Sequence, residues 1–240
     1  MELMLTGPPA ELPYNRWYHH LARAILRGII WLGYQILGRM RVEGRQNVPR
    51  TGPVILAPNH ISAADWPAVG LSSPRPLVWL AKHTLFEHPA TRWFLRLFHV
   101  FPVRRGAADR AALRLAEDLL RQGHALVIFP EGRVSPDARL QPLKPGLAFV
   151  ALRTGVPVVP VALRGTERLL PYGKLIPRFS PRPVVVRFGE PLRFDDLWRP
   201  DEGAVPPREA IDAATERLRV ALASLLAETQ GAGRAEAPPR

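Results

Sequence analysis

His60 and Asp65 stand five positions apart in Pro58-Asn59-His60-Ile61-Ser62-Ala63-Ala64-Asp65-Trp66-Pro67. That spacing suits proton transfer. Across a short loop entering a helix, the carboxylate can fold back onto one imidazole nitrogen. The other nitrogen is then free to take a proton, and the developing imidazolium is stabilised. This is the base half of a triad with no protein nucleophile beside it, so the nucleophile must come from a substrate, for instance a hydroxyl. The same residues also fit a purely local role. Ser62-x-x-Asp65 resembles a capping box with Asp in place of Glu, and Asp65, ahead of Trp66-Pro67, is itself a natural helix N-cap.

Other constellations carry cations. In Phe129-Pro130-Glu131-Gly132-Arg133 an apolar run ends in a turn that presents a carboxylate and a guanidinium. The planar fork of Arg133 suits a phosphate, and Glu131 either holds that arginine or accepts from a substrate hydroxyl. An ordinary polar turn with a surface ion pair is the plainer alternative. Phe101-Pro102-Val103-Arg104-Arg105-Gly106 repeats the pattern with two guanidiniums, and Lys82 follows the apolar run 77–81. Lys144-Pro145-Gly146 leads into a helical pattern whose N-terminus favours an anion. Val156-Pro157-Val158-Val159-Pro160-Val161 has no reactive group, so its role is shape: a proline-stiffened apolar wall. Successive apolar runs thus deliver one base and several cations, which fits an anionic substrate with a hydroxyl near His60.

The elements that must position these loops are legible from periodicity. Apolar, β-branched runs at 54–57, 77–81, 100–103, 125–129, 156–163 and 184–188 lack clean alternation, as strands buried on both faces do. Between them lie helical patterns at 89–98, at 107–122 with Gly123 as the stop, and at 146–153 with Gly155 as the stop. A last amphipathic helix over 208–228 places Ile211, Ala214, Leu218, Leu222 and Leu225 on one face. The order predicts an α/β fold with a mixed, largely parallel central sheet flanked by helices, and in such folds sites gather where strands end. Residues 1–14 read as a leader, 15–41 as an N-terminal helical segment, 42–229 as the main domain and 230–240 as a flexible tail. The 15–41 segment is apolar nearly all round at 29–37, with basic and aromatic flanks. It suits the membrane interface, with Trp17, Tyr18, Trp31 and Tyr34 at headgroup level; a helix packed on its own domain is the alternative.

Composition narrows the classes. At 240 residues and 47% hydrophobic, the chain supports one sizeable domain. The absence of cysteine excludes a disulfide scaffold, a thiol nucleophile and cysteine-based metal sites. The net charge of +12 points to an anionic partner, a membrane surface or nucleic acid, although nearly all of it is arginine, and with 27 prolines this resembles drift in a GC-rich genome. Nucleic acid would call for arginines clustered with aromatic platforms; here they are spread along the chain, so none is expected. No secretory signal is visible, and no apolar span reaches the roughly 20 residues a bilayer crossing needs.

Taken in order over residues 54–165, these blocks strongly resemble the glycerolipid acyltransferase family, the PlsC-type 1-acylglycerol-3-phosphate acyltransferases. The NHxSxxD block is matched by Asn59, His60, Ser62 and Asp65, and the FPVxR-like block by Phe101-Pro102-Val103-Arg104-Arg105. The FPEG block is matched by Phe129-Pro130-Glu131-Gly132-Arg133 and the proline-rich fourth block by residues 156–161. The resemblance implies His60 as general base, Asp65 as its orienting carboxylate, and Arg105, Glu131, Gly132 and Arg133 as acceptor-binding residues, with Arg133 and Lys82 on a phosphate. It further implies acyl transfer from acyl-CoA or acyl-carrier protein to lysophosphatidic acid, with no cofactor or metal. Partners would be that donor, the lysolipid and the phospholipid surface at the cytoplasmic face of the cell membrane. Arg104 stands where many members carry a neutral or acidic residue, and Arg133 where many have Thr or Ser nearby. The same chemistry on another lysolipid, a lyso-amino-acid lipid or a glycolipid is the alternative.

Overall fold

Strands form where β-branched residues run consecutively. In a computed structural model that describes residues 16–103, 109–174, 176–199 and 204–232, β2 (Val54–Pro58) buries every residue and β6 (Val158–Arg164) all but its last. The other strands are β1 (Arg41–Glu43), β3 (Val78–Lys82), β4 (Val100–Val103), β5 (Ala125–Val127) and β7 (Val185–Phe188). They make one seven-stranded sheet in the order β1-β7-β6-β2-β5-β3-β4. Every neighbouring pair is parallel except β6 with β7, so the sheet is mixed and largely parallel, as the alternation of elements predicts. The six expected runs correspond to β2 through β7. β1 was not expected, because three residues with two charges carry no apolar signal.

Helices cover both faces. α1 (Trp17–Gly38), α2 (Asp65–Ser72) and α3 (Pro89–Leu97) lie on one side, where Leu56, Val127, Val159 and Val186 meet Tyr34, Ala68 and Val69. α4 (Asp109–Arg121), α5 (Gly146–Thr154) and α7 (Arg208–Ala232) lie on the other, where Ile55, Leu126 and Val158 meet Leu119, Val150, Leu218 and Leu222. The short α6 (Thr166–Leu169) follows β6. The expected inner face of α7 is the observed one: Ala214, Leu218, Leu222 and Leu225 are buried and Ile211 packs beside them. α7 continues to Ala232, past the boundary expected for the tail, whose residues 233–240 lie outside the described part, as does the leader 1–14.

α1 lies antiparallel to α2. Arg27 near its middle donates to Gly70 O at 3.0 Å, while Tyr34, about two turns on, donates its hydroxyl to Ala64 O. Of the three glycines in α1, only Gly38 is needed for close approach: a Cβ there would stand 2.9 Å from Val184 Cγ2, whereas Gly28 and Gly33 face open space. The helix turns an apolar stripe outward, while its inward side combines arginines with Ile30, Tyr34 and Leu37, which pack on the core. Leu21, Ile25, Ile29, Leu32 and Ile36, spaced at three and four, are 52–61% exposed, while Arg23 and Arg27 on the opposite face are half-buried.

The turn that closes β1 depends on Gly44, at φ +66°, where a Cβ would come within 2.0 Å of Phe188 O. Neither the backbone conformation nor the β7 carbonyl can yield cheaply, so Gly44→Ala is expected to cost at least about 2 kcal/mol of stability. Urea unfolding of the two proteins measures this; an unchanged midpoint would contradict the packing described.

Candidate active site

Register brings the motif loops to one level. β2 and β5 pair Leu56 with Val127, and four residues further along each strand direction lie His60 and Glu131. β3 and β5 pair Trp79 with Val127, and three residues on lie Lys82 and Pro130. Lys82 in turn pairs with Val103 of β4. Because these strands are parallel and adjacent, their C-terminal ends share one sheet edge, and their loops meet there.

Asp65 is fully buried, and its Oδ2 accepts three hydrogen bonds: from His60 Nδ1 at 2.8 Å, Ile61 N at 2.7 Å and Ser62 N at 2.8 Å. Two backbone donors and one imidazole offset the desolvation of the charge. With Nδ1 engaged, Nε2 is the ring nitrogen left to accept a proton. The His60 side chain remains 17% exposed and stacks on Phe129, ring centres 4.0 Å apart.

The capping reading is corrected in detail. Asp65 is the first residue of α2, not its N-cap; the N-cap is Ala64, without a side-chain bond. The carboxylate turns back along the chain because the amides of Ile61 and Ser62 and the imidazole converge on it. Being in the first turn, it still meets the positive end of the helix dipole. Ser62 makes no capping box either: its hydroxyl accepts from Ala64 N at 3.0 Å and donates to Leu170 O at 2.6 Å.

Three further contacts hold this loop, and spacing alone gave no sign of them. Asn59 is buried and clips β2 to β6, donating to Leu163 O at 3.1 Å and accepting from Leu163 N at 2.7 Å. The Tyr34 hydroxyl holds Ala64 O from α1; burial first, then the charge of Asp65, pushes its pKa upward, so it stays a donor. Ser135 N donates to His60 O at 2.7 Å.

Glu131 takes a different place from the one its motif suggests. It is 2% exposed, and its partners among the described residues are backbone amides: His60 N on Oε1 at 2.6 Å and Gln141 N on Oε2 at 2.8 Å. The carboxylate therefore ties the 129–141 loop to the histidine, neither pairing with Arg133 nor facing solvent. Burial raises its pKa, and the two amides oppose that rise. Gly132 sits at φ +70°, and a Cβ there would lie 2.9 Å from Lys144 Cδ and 3.0 Å from Lys144 Nζ. Lys144, read from sequence only as a helix entry, is thus brought across the turn. Lys82 and Arg133 are exposed at the same edge. Arg105, two residues past Val103, lies outside the described residues.

The fold and the gathering of a His–Asp pair with cations place the chain among α/β proteins with a site at the C-terminal ends of parallel strands. A family model described as Acyltransferase matches residues 39–164, and the chain belongs to that family. The chloroplastic 1-acyl-sn-glycerol-3-phosphate acyltransferase of Arabidopsis thaliana is 33% identical over 178 residues, 71% of this chain and 49% of that protein. The 1-acyl-sn-glycerol-3-phosphate acyltransferase of Bacillus subtilis (strain 168) is 30% identical over 183 residues, 75% of this chain and 85% of that protein. The chain spans about half the length of the Arabidopsis thaliana and Brassica napus relatives it matches. Among solved structures, the 1-acyl-sn-glycerophosphate (LPA) acyltransferase PlsC from Thermotoga maritima matches with a TM-score of 0.58 at 26% identity, covering 85% of this chain and 82% of that one.

Glu131 yields a pH signature. Its folded pKa lies above the ordinary 4.5, so the folded state holds this proton more tightly than the unfolded chain. The corresponding stability is present below that ordinary value and is lost as pH rises through the raised one. Glu131→Gln removes the titration. The melting temperature of the wild type should therefore fall relative to the Gln variant as pH rises from about 4.5, and then run parallel to it. A constant difference across the acidic range would show that Glu131 titrates as an ordinary carboxyl.

Proposed function

We propose that this chain transfers a fatty acyl group from a thioester donor, acyl-CoA or acyl-carrier protein, to the free hydroxyl of lysophosphatidic acid, giving phosphatidic acid. The observation that carries the reading is the His60–Asp65 pair: an imidazole with Nδ1 on a fully buried carboxylate, its ring still partly exposed at an edge set with Lys82, Arg133 and Lys144. In the proposed mechanism Nε2 of His60 takes the proton of the acceptor hydroxyl as its oxygen attacks the thioester carbonyl. Asp65 stabilises the imidazolium, and the tetrahedral adduct collapses with cleavage of the C–S bond. The imidazolium then protonates the departing thiolate, so His60 returns to its starting state and no acyl-enzyme forms. Lys82, Arg133 and Lys144, with Arg105, bind the acceptor phosphate; Glu131 and Gly132 shape the turn that presents them. The reaction needs no cofactor beyond the donor's own thioester.

His60→Ala should reduce turnover by about 100-fold or more while leaving the fold intact. The assay uses purified protein, labelled acyl-CoA or acyl-carrier protein, and a panel of lysophosphatidic acid, another lysophospholipid, a lyso-amino-acid lipid and a glycolipid. Undiminished transfer to any of them by the Ala variant would exclude His60 as the base. A preference for an acceptor without phosphate would exclude the role given to the cations.

The reading includes peripheral attachment to the cytoplasmic face of the cell membrane. Among the described residues no helix is long and apolar enough to cross a bilayer. The exposed stripe of α1 offers an apolar face for the interface, and Ile176 and Phe179 add to it on a segment that meets the end of α1 through Ser180 N and Leu37 O. The arginines flanking that stripe suit an anionic leaflet. Ile25→Glu with Ile29→Glu should weaken binding to phospholipid vesicles by about tenfold or more, because each buried apolar side chain contributes about 1.5–3 kcal/mol. Cosedimentation measures it, and unchanged binding would rule out α1 as the anchor.

A further inference from the structure

A cavity of about 320 Å³ lies between α1, α2 and the residues leading into β3 and β4, and its lining includes the apolar Trp66, beside Asp65, and Trp79, stacked on Phe129. Four guanidiniums line it: Arg23 and Arg27 from the inward face of α1, Arg45 from the turn after β1, and Arg75 from the approach to β3. His99 also lines it, buried and lowered to a pKa of about 4, chiefly by burial and then by Arg23, so it is neutral near pH 7. No Asp or Glu is among the described residues that line it.

Part of this basicity has a local use. Arg27 donates to Gly70 O and Arg45 to Ser73 O at 3.1 Å, which satisfies carbonyls at the end of α2, and Arg75 donates to the carbonyls of Pro49, Gly52 and Gly123. Those bonds engage carbonyl dipoles, and a helix end supplies only about half a negative charge. Arg27 and Arg45 bring two formal charges to that end, and Arg23 and Arg75 add two more to the same cavity. Burial, followed by their mutual repulsion, holds Arg23 and Arg27 below the usual arginine range. Arg27 and Arg45 each show one carbonyl bond, which leaves guanidinium N–H groups of both for an oxyanion.

We propose that this cavity binds a phosphate group, as a second anion site separate from the acceptor edge at Lys82 and Arg133. The phosphate belongs either to an anionic membrane lipid or to a free phosphate species. Only the lipid source rests on the membrane attachment proposed above, since Arg23 and Arg27 stand on the face of α1 opposite its apolar stripe.

Inorganic phosphate is titrated against the full chain by its effect on the melting temperature. Stabilisation should persist in Lys82→Ala/Arg133→Ala and should need about tenfold more phosphate in Arg27→Gln/Arg45→Gln. Arg45→Gln alone, which loses one carbonyl bond, is the second variant should the double variant unfold, and it should shift the midpoint in the same direction. Unchanged phosphate dependence in both arginine variants, or its loss in Lys82→Ala/Arg133→Ala alone, overturns the proposal. Phosphatidylcholine vesicles with and without about one-fifth phosphatidic acid then identify the source. If the arginine variants lose the preference for anionic vesicles, the ligand is a lipid headgroup. If they keep it, or if no vesicle binds, while the phosphate shift remains, the ligand is free phosphate.

Discussion

The interaction on which the site depends is the burial of Asp65 against three donors. A carboxylate removed from water costs several kcal/mol unless its lone pairs are met; two consecutive backbone amides and an imidazole on Oδ2 offset that cost, while Oδ1 has no hydrogen-bond partner among the described residues. That requirement determines the path of the 59–65 loop: the amides of Ile61 and Ser62 have to point at the carboxylate, so His60 can only stand above it. The loop's other polar groups are then taken up from three directions, by Leu163 of β6, by Leu170 after α6 and by Tyr34 of α1. Each is a bond between elements far apart in sequence. The conformation of the dyad is therefore a property of the folded sheet and its helices, not of the motif alone.

A second buried carboxylate works the same way. Glu131 accepts from His60 N and Gln141 N, while Ser135 N donates to His60 O, so both main-chain groups of the histidine are fixed by the neighbouring strand's loop. The acid in the FPEG block acts on the backbone, and this leaves the turn's cations, Arg133 and Lys144, unneutralised by it. Had Glu131 paired with Arg133, the edge would carry one positive charge fewer. Gly132 completes the arrangement because its missing Cβ is the space that the Lys144 side chain occupies.

Much of this was legible in the sequence. The six apolar runs correspond to β2 through β7 because unbroken β-branched segments are what a doubly covered parallel sheet needs. Spacing allowed the pairing of His60 with Asp65 beside a helix-capping role, and the basic loops and companion blocks pointed to the pair. What escaped was whatever depends on long-range register. Tyr34 looked like an interfacial aromatic and is buried against Ala64. Glu131 looked like a partner for Arg133 or an acceptor for a substrate hydroxyl, since a sequence shows which charges are near along the chain and not which amides approach from another loop. β1 was too short and too charged to register, and it finds its place only because β7 offers it an edge.

α1 inverts the usual sense of amphipathicity. A helix packed on a soluble domain turns its apolar stripe to the core and its charges to water. Here Leu21, Ile25, Ile29, Leu32 and Ile36 face outward, and Arg23 and Arg27 face the domain beside Ile30, Tyr34 and Leu37. The inward polar contacts are specific, Arg27 on Gly70 O and Tyr34 on Ala64 O, so hydrogen bonds at both ends of α2 add to the packing of Ile30 and Leu37 in setting the orientation. Rotating the stripe inward would break both bonds and place five apolar side chains over α2. Without rotation, the stripe stays exposed along the helix. Because Tyr34 reaches the residue before Asp65, the helix that carries this exposed stripe also holds the loop that carries the dyad.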